Sequence, residues 1–130
     1  MEESPHIRFL RLLKEDRRYK VDAYQFVREA LNFAQEELGM GGEPDEEERH
    51  LTGQELCEGI RIFAIRQFGY MAKLVLNSWG VFSTSDFGNL VYNLIEIEMM
   101  KKSEQDRREH FDDVFDFDEA FVQDFEMTLE

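Results

Sequence analysis

Apolar residues recur at helical spacing through most of the chain, and the runs are separated by clear stop signals. The sharpest pattern occupies 51–100. Thr52 followed by Glu55 predicts a capping box, and Leu51 with Leu56 a hydrophobic staple across it. Leu56, Ile60, Phe63, Ala64 and Phe68 then share a helical face, and Gly69 ends or kinks that helix. The next helix carries Met71, Leu74, Val75 and Trp79 on its apolar side, with Gly80 as left-handed cap. A third starts at Ser83, with Phe82 and Phe87 placed for another staple and Phe87, Leu90, Val91, Leu94 and Ile95 as its apolar face. Two helices come before these. Ser4-Pro5 is a start signal for a short amphipathic helix bearing Ile7, Phe9, Leu10, Leu12 and Leu13. Asp22 is the expected cap of a longer one over 23–38, closed by Gly39, whose apolar residues cover more than one stripe.

The connection 79–83 is short, so the second and third helices of the central stretch read as a helix-turn-helix. After a polar stretch, Phe115 and Phe117 alternate with Asp116 and Asp118, a pattern that predicts a short β-hairpin. Three helices followed by such a wing resemble a winged helix. The expected fold is therefore mainly α (α+β): a winged-helix-like three-helix core with a short β-hairpin wing, preceded by two packing helices. The expected layout is one domain over 1–130. It comprises N-terminal helices to 38, an acidic mobile loop at 39–50 rich in Gly and Pro, a core at 51–117 and an acidic segment at 118–130. In that last segment Asp118 is the expected cap of a short helix with Ala120, Phe121 and Phe125.

Charge narrows the partners. With 29 acidic and 15 basic side chains the net charge is −14, which disfavours attraction of the whole molecule to nucleic acid or anionic membranes. No apolar run is long enough to span a bilayer, and the acidic start, Met1-Glu2-Glu3, is unlike a signal peptide. The single cysteine, Cys57, excludes an intramolecular disulfide and fits a reducing cytoplasm. The one basic patch lies between 5 and 20, with six basic residues (Arg8, Arg11, Lys14, Arg17, Arg18 and Lys20) against two acidic ones. It reads either as a helix whose arginines pair with the abundant carboxylates or as a polyanion site, with RNA stacking on Tyr19.

Candidate chemistry is sparse. Asp112, Asp113, Asp116, Asp118 and Glu119, near His110, could offer oxygens to a hard cation, but the spacing is not that of an EF-hand. A solvated acidic face explains the same residues. Cys57 and His50 are close in sequence, yet the cysteine is expected inside a helix, where thiols are buried and inert. His6 and His110 lack zinc spacing. Trp79, at the elbow, is expected to anchor the core. No cofactor or metal is expected.

In a winged helix the third helix reads the major groove. Here its exposed face is expected to show Ser85, Asp86, Gly88, Asn89, Tyr92, Asn93 and Glu96, with no cation to hold phosphate. Lys101, Lys102, Arg107 and Arg108 in the wing are offset by Glu104, Asp106 and Glu109. Duplex DNA is not an expected partner. Asp86, Asn89, Tyr92, Asn93 and Glu96 are instead the expected contact surface for another protein, a basic one by charge.

Several motifs occur together: Arg18-Tyr19, Ala23-Tyr24, Phe26-Val27 and Ala30-Leu31; Thr52-Gly53-Gln54-Glu55-Leu56 with Glu58-Gly59-Ile60-Arg61; Phe68-Gly69; Trp79-Gly80; Asp86-Phe87-Gly88; and Asp116-Phe117 with Glu119-Ala120-Phe121. In this combination the chain resembles, over nearly its whole length, a family of short bacterial proteins with no assigned activity. The resemblance implies no catalytic residue. The chain departs from it at Glu98, where similar members tend to carry glycine. The expected function is a non-enzymatic adaptor or regulatory module of the cytoplasm. The alternative is a nucleic-acid- or ribosome-associated factor using residues 8–20, and a small metal-dependent enzyme comes third.

Overall fold

Residues 3–41 and 51–123 are described by the computed structural model, and their regular structure is helical throughout. Helix α1, Pro5–Glu15, begins as its sequence requires: proline occupies the first turn and the Ser4 hydroxyl accepts the Ile7 amide at 3.2 Å. It lies on the outside with no fully buried residue, its Phe9 ring meeting Tyr24 edge-on at 5.5 Å between centroids. Helix α2, Val21–Glu36, buries Ala23, Tyr24, Phe26, Val27, Ala30, Phe33 and Ala34. It starts earlier than expected, so Asp22 sits inside the first turn and does not cap. Helix α3, Gly53–Phe68, packs on α2. Its expected capping box is present, with Thr52 Oγ1 accepting the Glu55 amide at 3.1 Å and Glu55 Oε1 accepting the Thr52 amide at 3.0 Å. Leu51 and Leu56, the staple pair, are both buried.

A single 3-10 turn, Gly69–Met71, leads into α4, Ala72–Ser78. Here the expected apolar face is corrected. The buried residues of α4 are Ala72 and Leu76, whereas Met71 and Leu74 stand exposed. A helix of two turns makes its core contact through one i, i+4 pair, and too few residues repeat to fix the phase from sequence. The elbow itself is as expected. The Val81 amide reaches the Leu76 carbonyl at 2.9 Å and the Gly80 amide the Asn77 carbonyl at 3.0 Å, with Gly80 left-handed at φ +92°. Helix α5, Thr84–Glu96, follows. The Asp86 carboxylate receives the amides of Phe82 (2.8 Å) and Ser83 (3.2 Å), so the start is held by charge. The second staple does not form: Phe87 is fully buried but Phe82 remains 64% exposed.

The β-hairpin wing is also corrected. No strand occurs among the described residues. Beyond α5 the chain turns back across α3 and α5. A 3-10 turn, Arg108–Phe111, presses Phe111 against both helices. Phe115 and Phe117 stack on each other at 5.9 Å, Phe117 lies 5.7 Å from Phe87, and both meet the edge of Phe121. A strand would need a second strand for its hydrogen bonds. Here an aromatic cluster takes the phenylalanines, and Asp116 between them serves a helix end. Asp116, and not Asp118, is the cap of the final wide helical turn, Glu119–Gln123, its Oδ1 accepting the Glu119 amide at 3.0 Å. Asp118 pairs with Lys73 of α4. Phe125 and the greater part of the expected acidic loop, 42–50, lie outside the described residues. The buried apolar residues form one cluster reaching from α2 to Phe121.

The exit from α5 carries a testable strain. Its closing bonds repeat those of the elbow, Met99 amide to Leu94 carbonyl at 2.8 Å and Glu98 amide to Ile95 carbonyl at 3.0 Å, with Glu98 left-handed at φ +65°. An L side chain there costs about 1–2 kcal/mol, part of which glycine returns as unfolded-state entropy. Glu98→Gly is expected to stabilise the protein by about 0.5–1 kcal/mol, read as a rise in denaturation midpoint. The Arg8 contact it removes, at 4.0 Å and largely in solvent, contributes little.

Candidate functional site

The polar face of α5 faces protein. Residues 85, 86, 89 and 93 recur at helical spacing and lie between the α1–α2 link on one side and the Arg108–Phe111 turn on the other. Tyr19 of the link donates its hydroxyl to Asp86 and accepts the Asn89 amide nitrogen at 2.9 Å. The Asn89 oxygen accepts Arg108 Nε at 2.9 Å. Arg108 Nη1 and Ser85 Oγ both donate to Asp112 Oδ1 at 2.7 Å. Lower on the helix, Asn93 Nδ2 donates to Asp16 at 3.0 Å and to the Tyr24 hydroxyl at 3.1 Å. Asp16, the C-terminal cap of α1, is also gripped by Arg18 through Nε (2.9 Å), Nη2 (2.6 Å) and the backbone amide (3.1 Å).

The electrostatics fit a lock. The Arg18 guanidinium, supported by Asn93, holds the Asp16 carboxyl well below the usual carboxylate range despite its burial. Burial raises the Tyr19 hydroxyl, and its hydrogen bond to Asp86 raises it further; burial likewise raises Tyr24. These phenols therefore keep their protons at neutral pH and act as donors. Because the Asp16 carboxyl is depressed in the folded protein, its contribution is complete above the unfolded value, about 4, and is lost as pH falls below that. Asp16→Asn is expected to destabilise the protein at pH 7 and to lose its difference from wild type on acidification, measured as urea midpoints from pH 7 down. A constant difference across that range would mean that the Arg18–Asp16 pair does not form.

The remaining sequence candidates are dispersed. Tyr92 is half-buried with its ring edge-on to Phe111, and Glu96 is exposed. Of the basic set, Arg8 donates to the Ile97 carbonyl at 3.0 Å, Arg11 pairs with Glu3, and Arg18 holds Asp16 while lying over the Tyr19 ring at 5.1 Å. Lys14, Arg17 and Lys20 are exposed, and no described carboxylate lies within ion-pair distance of them. Of the acidic residues of 112–119, three point to separate partners: Asp112 to Arg108 and Ser85, Asp116 to a backbone amide, Asp118 to Lys73. Among the described residues no three His, Cys, Asp or Glu side chains converge as a metal site. Cys57 is fully buried, its thiol pushed up to about 12 by burial, and His50 lies outside the described residues. Trp79 packs on Phe26 and Phe68 at 5.5 and 5.7 Å, the anchoring place expected of it.

One surface was missed from sequence. At the corner between α3 and α4, Tyr70 is 73%, Leu74 61% and Met71 40% exposed. The signal available was the adjacency of Tyr70 and Met71 to Gly69, which breaks the helical phase, but Met71 and Leu74 are apolar at helical spacing and so read as core. Comparison with protein-family models, with curated proteins and with solved structures finds no match for the chain. No helix among the described residues is long and apolar enough to cross a membrane.

Proposed function

We propose that the chain is a non-enzymatic protein-interaction module, an adaptor or regulatory factor of the cytoplasm. The observation that carries this reading is the corner of Tyr70, Met71 and Leu74, three large apolar side chains left in solvent side by side while most of the described aromatics pack in one cluster. Exposed apolar groups on a rigid element are the usual anchors of a protein partner. Asp86, Asn89 and Asn93 hold the fold from within, so the contact surface moves from the polar face of α5 to this corner, with Glu96 and the edge of Tyr92 left as secondary contacts. The likeness to a winged helix rests on the α4–α5 elbow alone, and the absence of cations on α5 favours protein over duplex DNA.

The test is co-purification from native lysate with wild type and with Tyr70→Ser/Leu74→Ser. Exposed substitutions of this kind change stability within about 0.5 kcal/mol, so loss of a co-purifying protein would report lost contact and not unfolding. A partner retained in full by the double variant refutes the corner. The second reading, an RNA-binding factor, is favoured by Lys14, Arg17 and Lys20. Salt-dependent binding to structured RNA that disappears when these three become Glu would replace the adaptor reading.

A further inference from the structure

A chamber of about 130 Å³ lies where α2, α3, α5 and the segment after α5 meet, walled by Leu31, Leu56, Val91, Ile95, Met100 and Phe111. A shallower cavity of about 330 Å³ adjoins it, and Leu31, Met100 and Lys101 belong to both walls. Arg28 lines the outer cavity. Arg28 and Lys101 are exposed, and neither has a described carboxylate within ion-pair distance. The two acids nearby are engaged elsewhere: Asp106, on the inner wall, accepts the Ser103 amide at 2.9 Å, and Glu98, on the outer one, extends into solvent towards Arg8.

A mainly apolar chamber, with Gln35, Tyr92 and Asp106 also on its wall, behind a mouth bearing Arg28 and Lys101 fits an amphipathic anion. A chamber of about 150 Å³ holds one benzene ring, so this one takes a tail of about six carbons. Met100, unbranched and adaptable, forms the shared wall through which the tail would pass. We infer that the chamber and its mouth bind a short-chain carboxylate, its tail among Leu31, Val91 and Ile95 and its head at Arg28 and Lys101. The inference is independent of the protein-partner reading, since the corner at Tyr70 belongs to neither cavity.

The experiment is titration of the full chain with hexanoate, followed by melting temperature and by methyl resonances of Leu31, Val91 and Ile95. Hexanoate is expected to raise the melting temperature, as any ligand of the native state does, and to shift those methyls. Acetate, a head without a tail, and 1-hexanol, a tail without a head, are each expected to bind about tenfold more weakly, as loss of a charge-assisted bond or of the apolar burial implies. Arg28→Glu with Lys101→Glu, both on the surface, should weaken hexanoate about tenfold and leave hexanol unchanged. Ile95→Phe should fill the chamber and remove both. The proposal is overturned if hexanoate at about 10 mM shifts none of these methyls, or if charge reversal leaves its affinity intact. Binding that persists in Ile95→Phe overturns it equally, and should that variant not fold, the charge-reversal arm decides alone.

Discussion

Gly80→Ala is expected to destabilise the protein by about 2–5 kcal/mol, one of the two largest single-site effects in the molecule. Two independent costs meet at this position. The residue is left-handed at φ +92°, which costs an alanine about 1–2 kcal/mol. A Cβ there would also lie 2.0 Å from the Arg18 carbonyl oxygen and 3.1 Å from its carbon. Backbone cannot rotate aside as a side chain does, so the α1–α2 link must shift away from the elbow, an overpacking cost of about 1–3 kcal/mol. That link is fixed immediately after the contact, by Tyr19 on Asp86 and Asn89 and by the Lys20 amide on the Trp79 carbonyl at 3.2 Å. Gly39→Ala is the control. It is left-handed at φ +67° with nothing within 4 Å of the new methyl, so it carries the first cost alone. Urea denaturation of both variants separates the two contributions, and equal losses would mean that the elbow does not touch the link.

What could be read from the sequence was what neighbouring residues decide among themselves. Ser4-Pro5, the Thr52–Glu55 box and the Gly80 cap are local chemistry, and each is where its spacing put it. Where the outcome depended on a distant segment, the pattern was silent or misleading. The alternation of Phe115, Asp116, Phe117 and Asp118 suits a strand or an aromatic anchor with a helix cap, and only the presence of Phe87 and Phe121 decides between them. Asp86, Asn89 and Asn93 read as solvent-facing because they are polar. They are covered because Tyr19 and Tyr24 bring hydroxyls to them from about seventy residues away, satisfying groups that could not otherwise be buried. Met71 and Leu74 show the converse, apolar residues placed outside at the start and in the middle of a helix too short to fix its phase.

Phe111→Ala is expected to cost about 3–5 kcal/mol and to release the segment that the sequence had suggested as a wing. Phe111 is buried in a slot that exists because two facing positions have no side chain. A Cβ on Gly53, at the start of α3, would meet the ring at 3.0 Å, and one on Gly88, in α5, would meet the Phe111 Cβ at 2.8 Å. The ring thus joins α3 to α5 from the C-terminal side. It also seats the turn from which Arg108 reaches Asn89 and Asp112, so removing it weakens those polar bonds as well as leaving a void. Hydrogen exchange should show the effect in place. Amides of the 108–111 turn, such as His110 to the Arg107 carbonyl and Asp112 to the Glu109 carbonyl, should exchange faster, while those in the middle of α2 change only as far as global stability falls. Phe111→Leu should retain much of the lost stability, since it refills most of the slot with apolar volume. Filling the slot from the other side by Gly88→Ala should displace the same ring and loosen the same amides. If Phe111→Ala melts within about 1 kcal/mol of wild type, or if exchange rises evenly through all five helices, then the turn is not the joint between α3 and α5 and the segment after α5 is held by its polar bonds alone.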